Sequence, residues 1–154
     1  MIRMATEKDI PTICKLLAQV NLIHHLARPD VFKKGLKYSE EELKLILKDQ
    51  DRPIFVHEDS QGEIDGYCFC IIKNQTASNL LEDMKTLYID DLCVDEDKRR
   101  SGVGTLLFNQ VQNFAKKIGC YNLTLNVWSC NPSALKFYQK LGLLPQKTVM
   151  EKLL

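Results

Sequence analysis

No stretch of this chain stays apolar for the roughly 20 residues that a membrane span requires; its hydrophobic runs are short and broken by charge. An excess of one charge sign is missing too. Lys and Arg number 21 and Asp and Glu 20, a formal net charge of +1, so no global field gathers nucleic acid or an anionic membrane and any anion site has to be local. The opening Met1-Ile2-Arg3-Met4-Ala5-Thr6-Glu7 has no apolar signal core, which makes the cytoplasm the expected location. The cysteines Cys14, Cys68, Cys70, Cys93, Cys120 and Cys130 are scattered without a CxxC. Cys68-Phe69-Cys70 reads as alternation along a strand rather than as a metal site, so neither a metal nor a disulfide framework is expected. There is no GxxxxGK[ST], and no GxGxxG with an acidic residue about twenty positions on, which excludes the P-loop and dinucleotide folds. Repeats and low-complexity segments are absent.

What is present is a chain of 154 residues, 45% hydrophobic and 27% charged, enough for one domain spanning 1–154 around one continuous core. Thr6 with Asp9 has capping-box spacing, and Ile10, Ile13, Leu16, Leu17 and Val20 recur at the helical period, predicting a helix over Lys8 to Val20. A long connection follows over Asn21 to Lys37, with Pro29 and Gly35 in it. Ser39 and Glu42 form a second capping box before a short helix. Ile54 to His57 and Ile64 to Ile72 read as a hairpin, and Thr86 to Val94 as a third strand. Then come a helix from Gly102 to Gly119, a strand over Leu123 to Trp128, and a helix begun by Asn131 and Pro132 and ended by Gly142. Gln146 to Leu154 is expected to add a last strand. The order predicts a central mixed sheet flanked by helices.

The most informative stretch runs from Tyr88 to Leu107. It reads as a strand, a tight basic turn and an amphipathic helix. Amides at a helix start lack intrahelical acceptors and carry partial positive charge, so this turn suits an anion such as pyrophosphate. Arg99 and Arg100 add charge, and Gly102 and Gly104 allow close approach to the backbone. On this physics alone an ordinary strand-to-helix turn remains equally open.

Arg99-Arg100-Ser101-Gly102-Val103-Gly104 matches the [QR]-x-x-G-x-[GA] signature of the GNAT superfamily of N-acetyltransferases, and Asn131 to Gly142 resembles that family's second signature. The opening Ile2 to Thr6 followed by a helix also looks like a GNAT start. The resemblance implies an α/β fold of α+β type, with a twisted, mostly antiparallel mixed sheet of six to seven strands and about four helices. It implies acetyl-coenzyme A as co-substrate, its pyrophosphate bound by Arg99, Arg100, Ser101, Gly102, Val103, Gly104 and Thr105, with Asn131 touching it and Leu92, Cys93 and Val94 offering backbone groups to the pantetheine arm. Tyr138 becomes the general acid toward the leaving sulfur, in preference to the alternative of a helix-face aromatic packed on the core. Asp90 becomes the base, acting through water, since the segment is similar to the corresponding strand of diamine acetyltransferases. Alternation along a strand sends Asp90 and Asp91 to opposite faces. His24, His25, Tyr88 and Trp128 are weaker candidates for the acceptor pocket. Cys93, with no histidine in its motif, reads as structural.

The reaction so implied is direct transfer to a small cationic amine, favoured by Glu82, Asp83, Asp90 and Asp91. A peptide or protein amine as acceptor, and a non-catalytic coenzyme A-binding module, are the alternatives. A homodimer is the family-based expectation, with no nucleic acid and no membrane as partner.

Overall fold

A computed structural model describes residues 1–154. Its capping residues act as their types predict. Thr6 N donates to Asp9 Oδ2 at 2.7 Å, opening a 3-10 turn that leads into α1 (Ile10–Ala27). Ser39 N donates to Glu42 Oε2 at 2.7 Å, and Glu42 N donates back to Ser39 Oγ, starting α2 (Glu40–Ile46). Asn131 Oδ1 accepts from Ala134 N at 3.2 Å ahead of Pro132, the first residue of α4 (Pro132–Lys140).

The sheet has five strands in the order β1-β2-β3-β4-β5: β1 (Ile2–Met4), β2 (Ile54–Glu58), β3 (Ile64–Gln75), β4 (Met84–Val94) and β5 (Asn122–Leu125). All neighbours are antiparallel except β4 and β5, which are parallel through α3 (Val103–Lys117). Helices cover both faces, which is why β3 is buried continuously from Ile64 to Cys70 instead of alternating. One core joins α1 and α2 to Ile54, Val56, Tyr67, Phe69 and Cys93; the other joins α3 to Phe55, Cys68, Cys70, Leu87 and Ile89. At Gly66, a Cβ would meet Cys93 O, Leu107 Cδ1 and Val103 Cγ1, each at 3.1 Å. The missing side chain is what lets α3 press its first turn onto the end of β4.

The α+β architecture and the four helices agree with expectation, while several boundaries do not. The first helix runs on to Ala27, because no glycine or proline interrupts it before Pro29; its last turns expose Leu22 and Leu26, so the apolar pattern fades before the helix ends. The sheet has five strands, not six or seven. Residues 143–154 form no strand: β5 pairs only with β4, and the tail instead runs to the end of α1, where Arg28 donates to Glu151 at 3.0 and 3.3 Å. No helix is long and apolar enough to cross a membrane.

Candidate active site

The site begins where two parallel strands part. β4 and β5 pair from Thr86↔Asn122 to Ile89↔Leu125 and no further. The strand expected over Leu123 to Trp128 therefore stops early, and β4 from Asp90 to Val94 lacks a neighbouring strand on that side. Leu92 and Val94 turn toward α3, while Cys93 turns toward α1. The Cys93 thiol is buried, lies 3.6 Å from Leu16 O, and is pushed up to about 12 by burial and then by the Asp91 charge. That makes it a core residue, in keeping with its structural reading.

Beyond β4 the backbone bends into left-handed conformations at Arg100 (φ 66°) and Gly102 (φ 90°). None of the amides from Arg99 to Thr105 finds a backbone acceptor; the first helical bond is Leu106 N to Gly102 O at 3.0 Å. Alternating handedness of this kind turns successive N–H groups toward one concavity. Arg99, Arg100, Ser101 and Gly102 are exposed, so no side chain closes the corner. Arg99 Nε donates to Val94 O at 3.3 Å, and Ser101 Oγ donates to Lys98 O, tying the turn back on itself. The two glycines differ. Gly102 has open space but a backbone angle that disfavours a side chain, whereas a Cβ at Gly104 would meet Phe137 Cζ at 3.2 Å. The bareness of Gly104 thus serves packing of α3 against α4.

Tyr138 stands on the α4 face that packs against the α3-side core, 5.1 Å from Phe137 and 6.5 Å from Phe108 between ring centroids. Its hydroxyl makes no hydrogen bond to the protein and is not a sealed, unsatisfied atom, so it keeps contact with solvent. Burial, then the neighbouring Cys68, Asp91 and Cys93, hold the phenol well above its ordinary range and keep it protonated. Asn131 commits Oδ1 to the helix cap and leaves its amide nitrogen free.

Asp90 and Asp91 depart from simple alternation. Phe69 pairs with Asp91 and Cys70 with Ile89, so Asp90 is the extra residue of a β-bulge. Both carboxylates consequently reach the α1 and α2 side, and the expected divergence does not occur. Asp90 Oδ2 accepts from Tyr38 Oη at 2.5 Å and faces Lys37 Nζ at 3.1 Å; Arg52 donates to Tyr38 Oη at 3.0 Å. Asp91 Oδ2 accepts from Tyr67 Oη at 3.1 Å, and burial raises its carboxyl to about 6, against the opposing pull of Lys37 and Tyr67.

Of the other candidates, His24, His25 and Trp128 converge on Phe32. His24 stacks on its ring at 5.0 Å, Trp128 meets the ring edge-on at 5.0 Å, and His25 Nδ1 lies 2.6 Å from its carbonyl. Burial and then Lys37 lower His24. Tyr88 Oη accepts from Asn126 at 3.2 Å, and Lys73 Nζ sits 3.6 Å from its ring centre. Glu82 and Asp83 lie in the loop before β4, separated from Asp90 by most of the strand, about 20 Å at 3.3 Å per residue, and do not join the site. Phe32, Lys37, Tyr38 and Tyr67 went unrecognised in the sequence. An aromatic and basic composition in the connection before α2 was the only signal for the first three; Tyr67 looked like any core strand residue.

Residues 20–143 match the family model described as the Acetyltransferase (GNAT) family. An uncharacterized N-acetyltransferase of Methanocaldococcus jannaschii is 30% identical over 118 residues, covering 77% of this chain and 50% of that protein. The N-alpha-acetyltransferase 50 of Danio rerio is 42% identical over 62 residues, covering 40% of this chain and 37% of that protein. The chain therefore spans half or less of these curated relatives. Among solved structures, a tetramutant of the BH1408 protein of Bacillus halodurans superposes with a TM-score of 0.97 at 29% identity, covering 100% of this chain and 99% of that one.

Proposed function

The chain belongs to the Acetyltransferase (GNAT) family, and on that premise we propose that it transfers the acetyl group of acetyl-coenzyme A directly to an amine, most favourably a small cationic one. The observation that carries this reading is the run of unpaired amides from Arg99 to Thr105 standing open beside a β4 edge that has no strand neighbour. The amides and Arg100 suit a diphosphate, and the bare edge at Leu92, Cys93 and Val94 suits the amide-bearing pantetheine arm. The bound coenzyme would supply an activated acyl thioester.

The side chains then divide the proton work. Asp90, at the bulge, receives the cationic amine as an ion pair. Asp91, raised to about 6, is mostly ionised at pH 7 and accepts the amine's proton through water, so the role expected of Asp90 is shared between the two carboxylates. A backbone amide of the β4 edge polarises the acetyl carbonyl. Tyr138, held neutral, donates its proton to the departing sulfur and regains one from the newly acylated nitrogen. His24, Phe32, Tyr88 and Trp128 would wall the acceptor.

A homodimer belongs to the same proposal. The outer edge of β5 is free, and the unpaired tail exposes Val149 (88%) and Met150 (85%), which suits strand exchange between two copies. To test the catalytic reading, thiol release from acetyl-coenzyme A is followed with a panel of amines, including a peptide N-terminus. Release with some amine, falling at least a hundredfold in Tyr138→Phe with melting temperature preserved, is the expected result. Tight coenzyme binding with no turnover on any amine would instead favour a non-catalytic module.

A further inference from the structure

The connection between α1 and α2 carries an ammonium of the chain itself into the seat proposed for the acceptor. Lys37 Nζ lies 2.8 Å from Asp90 O and 3.1 Å from Asp90 Oδ2. That carbonyl belongs to the first residue beyond the last β4–β5 pair, so the amine hangs at the mouth of the opening between the strands. Its charge reaches Asp91 and His24, shifting both. Around it stand Tyr38, whose ring centre is 5.7 Å away, and the bulge carboxylates. The Lys37 side chain is 39% exposed and its carboxylate partner 13%. An ion pair open to solvent on one side is a weak tether, and the four-carbon stem has freedom to move its nitrogen within the site.

A substrate amine bound at Asp90 would meet the same groups that Lys37 already meets. We propose that Lys37 is a self-acetylation site, modified in cis by the acyl group that the chain itself binds. The inference rests on the transferase reading above. In the step, the Lys37 ammonium gives one proton to Asp91 through water. The neutral nitrogen attacks the thioester carbonyl, an N–C bond forms and the C–S bond breaks. Tyr138 protonates the thiolate and is reprotonated from the new amide nitrogen. One acetyl-coenzyme A becomes one free thiol, and one proton is released to solvent. The product, a neutral amide, can no longer form the ion pair with Asp90.

The full chain is incubated with acetyl-coenzyme A and no other amine, and acetylation is followed by intact mass and by peptide mapping. The expected result is one acetyl group on Lys37, appearing with a first-order rate constant that does not change with protein concentration. Lys37→Arg should abolish it at unchanged melting temperature, and Tyr138→Phe should slow it at least tenfold. A thermally unfolded sample should show no preference for Lys37 over Lys136 or Lys140. An unmodified Lys37 in a protein that does release thiol with added amines would overturn the inference and leave the transferase reading intact. Modification whose rate constant rises with protein concentration would overturn transfer in cis. No modification together with no thiol release on any amine would sink the transferase reading itself.

Discussion

Asp91→Asn separates the energetic cost of the buried carboxylate from its use. A carboxyl titrates at about 3.9 in an unfolded chain, and at about 6 here because burial disfavours the charge. Above pH 6 the native state therefore holds a carboxylate that would be better solvated after unfolding. At about 1.4 kcal/mol per unit of difference, the cost approaches 3 kcal/mol at pH 7. The sign follows from linkage: between pH 6 and pH 4 the native state binds a proton that the unfolded chain does not, so this cost fades as the pH falls and is gone near pH 4. Asparagine removes the charge and can still accept from Tyr67, but brings an NH2 that needs a partner, which offsets about 1 kcal/mol. The net gain is about 2 kcal/mol, or roughly 4–8 °C in melting temperature for a chain of this size. Thermal denaturation at pH 7 and pH 4.5 should show the gain at neutral pH and little or none in acid. Thiol release should fall by a factor of about 10² to 10⁴, and the rise of kcat/KM through pH 6 should vanish. The charged neighbours Lys37 and Asp90, and the titratable Tyr67, Cys68, Cys93 and Tyr138, remain in place in this variant. An Asp91→Asn protein less stable than the parent at pH 7, or one with full turnover and an unchanged pH profile, would refute the reasoning.

The remaining predictions are simpler. Gly102→Ala forces a side chain into φ 90°, costing about 1–2 kcal/mol, and should weaken coenzyme binding measured by calorimetry, because the amides of the turn lose their alignment. Gly104→Ala should behave differently, lowering the melting temperature through the Phe137 contact at 3.2 Å while leaving coenzyme affinity within about threefold, as urea titration and the same calorimetry would report. Ending the chain after Pro145 should convert a dimer to a monomer in sedimentation at unchanged far-ultraviolet helix content; a parent chain that sediments as a monomer would count against strand exchange.

Local chemistry made much of this molecule readable in advance. Ser39 with Glu42 and Asn131 with Pro132 start their helices where such residues should, and the Arg99 to Gly104 turn has the unpaired amides its composition suggests. Features that depend on another segment were not readable. Nothing in the neighbourhood of Gly104 announces that Phe137, on a later helix, will lie against it. Asp90 and Asp91 looked divergent because an extra residue relative to β3 is invisible in β4 alone. The expected last strand failed for the same reason: Val149 and its neighbours have strand character, but whether a partner edge lies within reach is settled by the path of the whole chain.

That extra residue also acts as a phase shifter along β4. Up to Ile89 the odd-numbered positions Leu87 and Ile89 face α3; after it the even-numbered Leu92 and Val94 do, and Cys93 points the other way. A regular ladder that kept every residue of β4 and lost the bulge would move Cys93 into the layer beneath α3 and turn Leu92 and Val94 against α1. Two hydrophobic layers built for opposite parities thus hold the kink in place, so the spot where the acyl chemistry is proposed to occur is fixed by packing on both sides of the sheet rather than by any group that takes part in it.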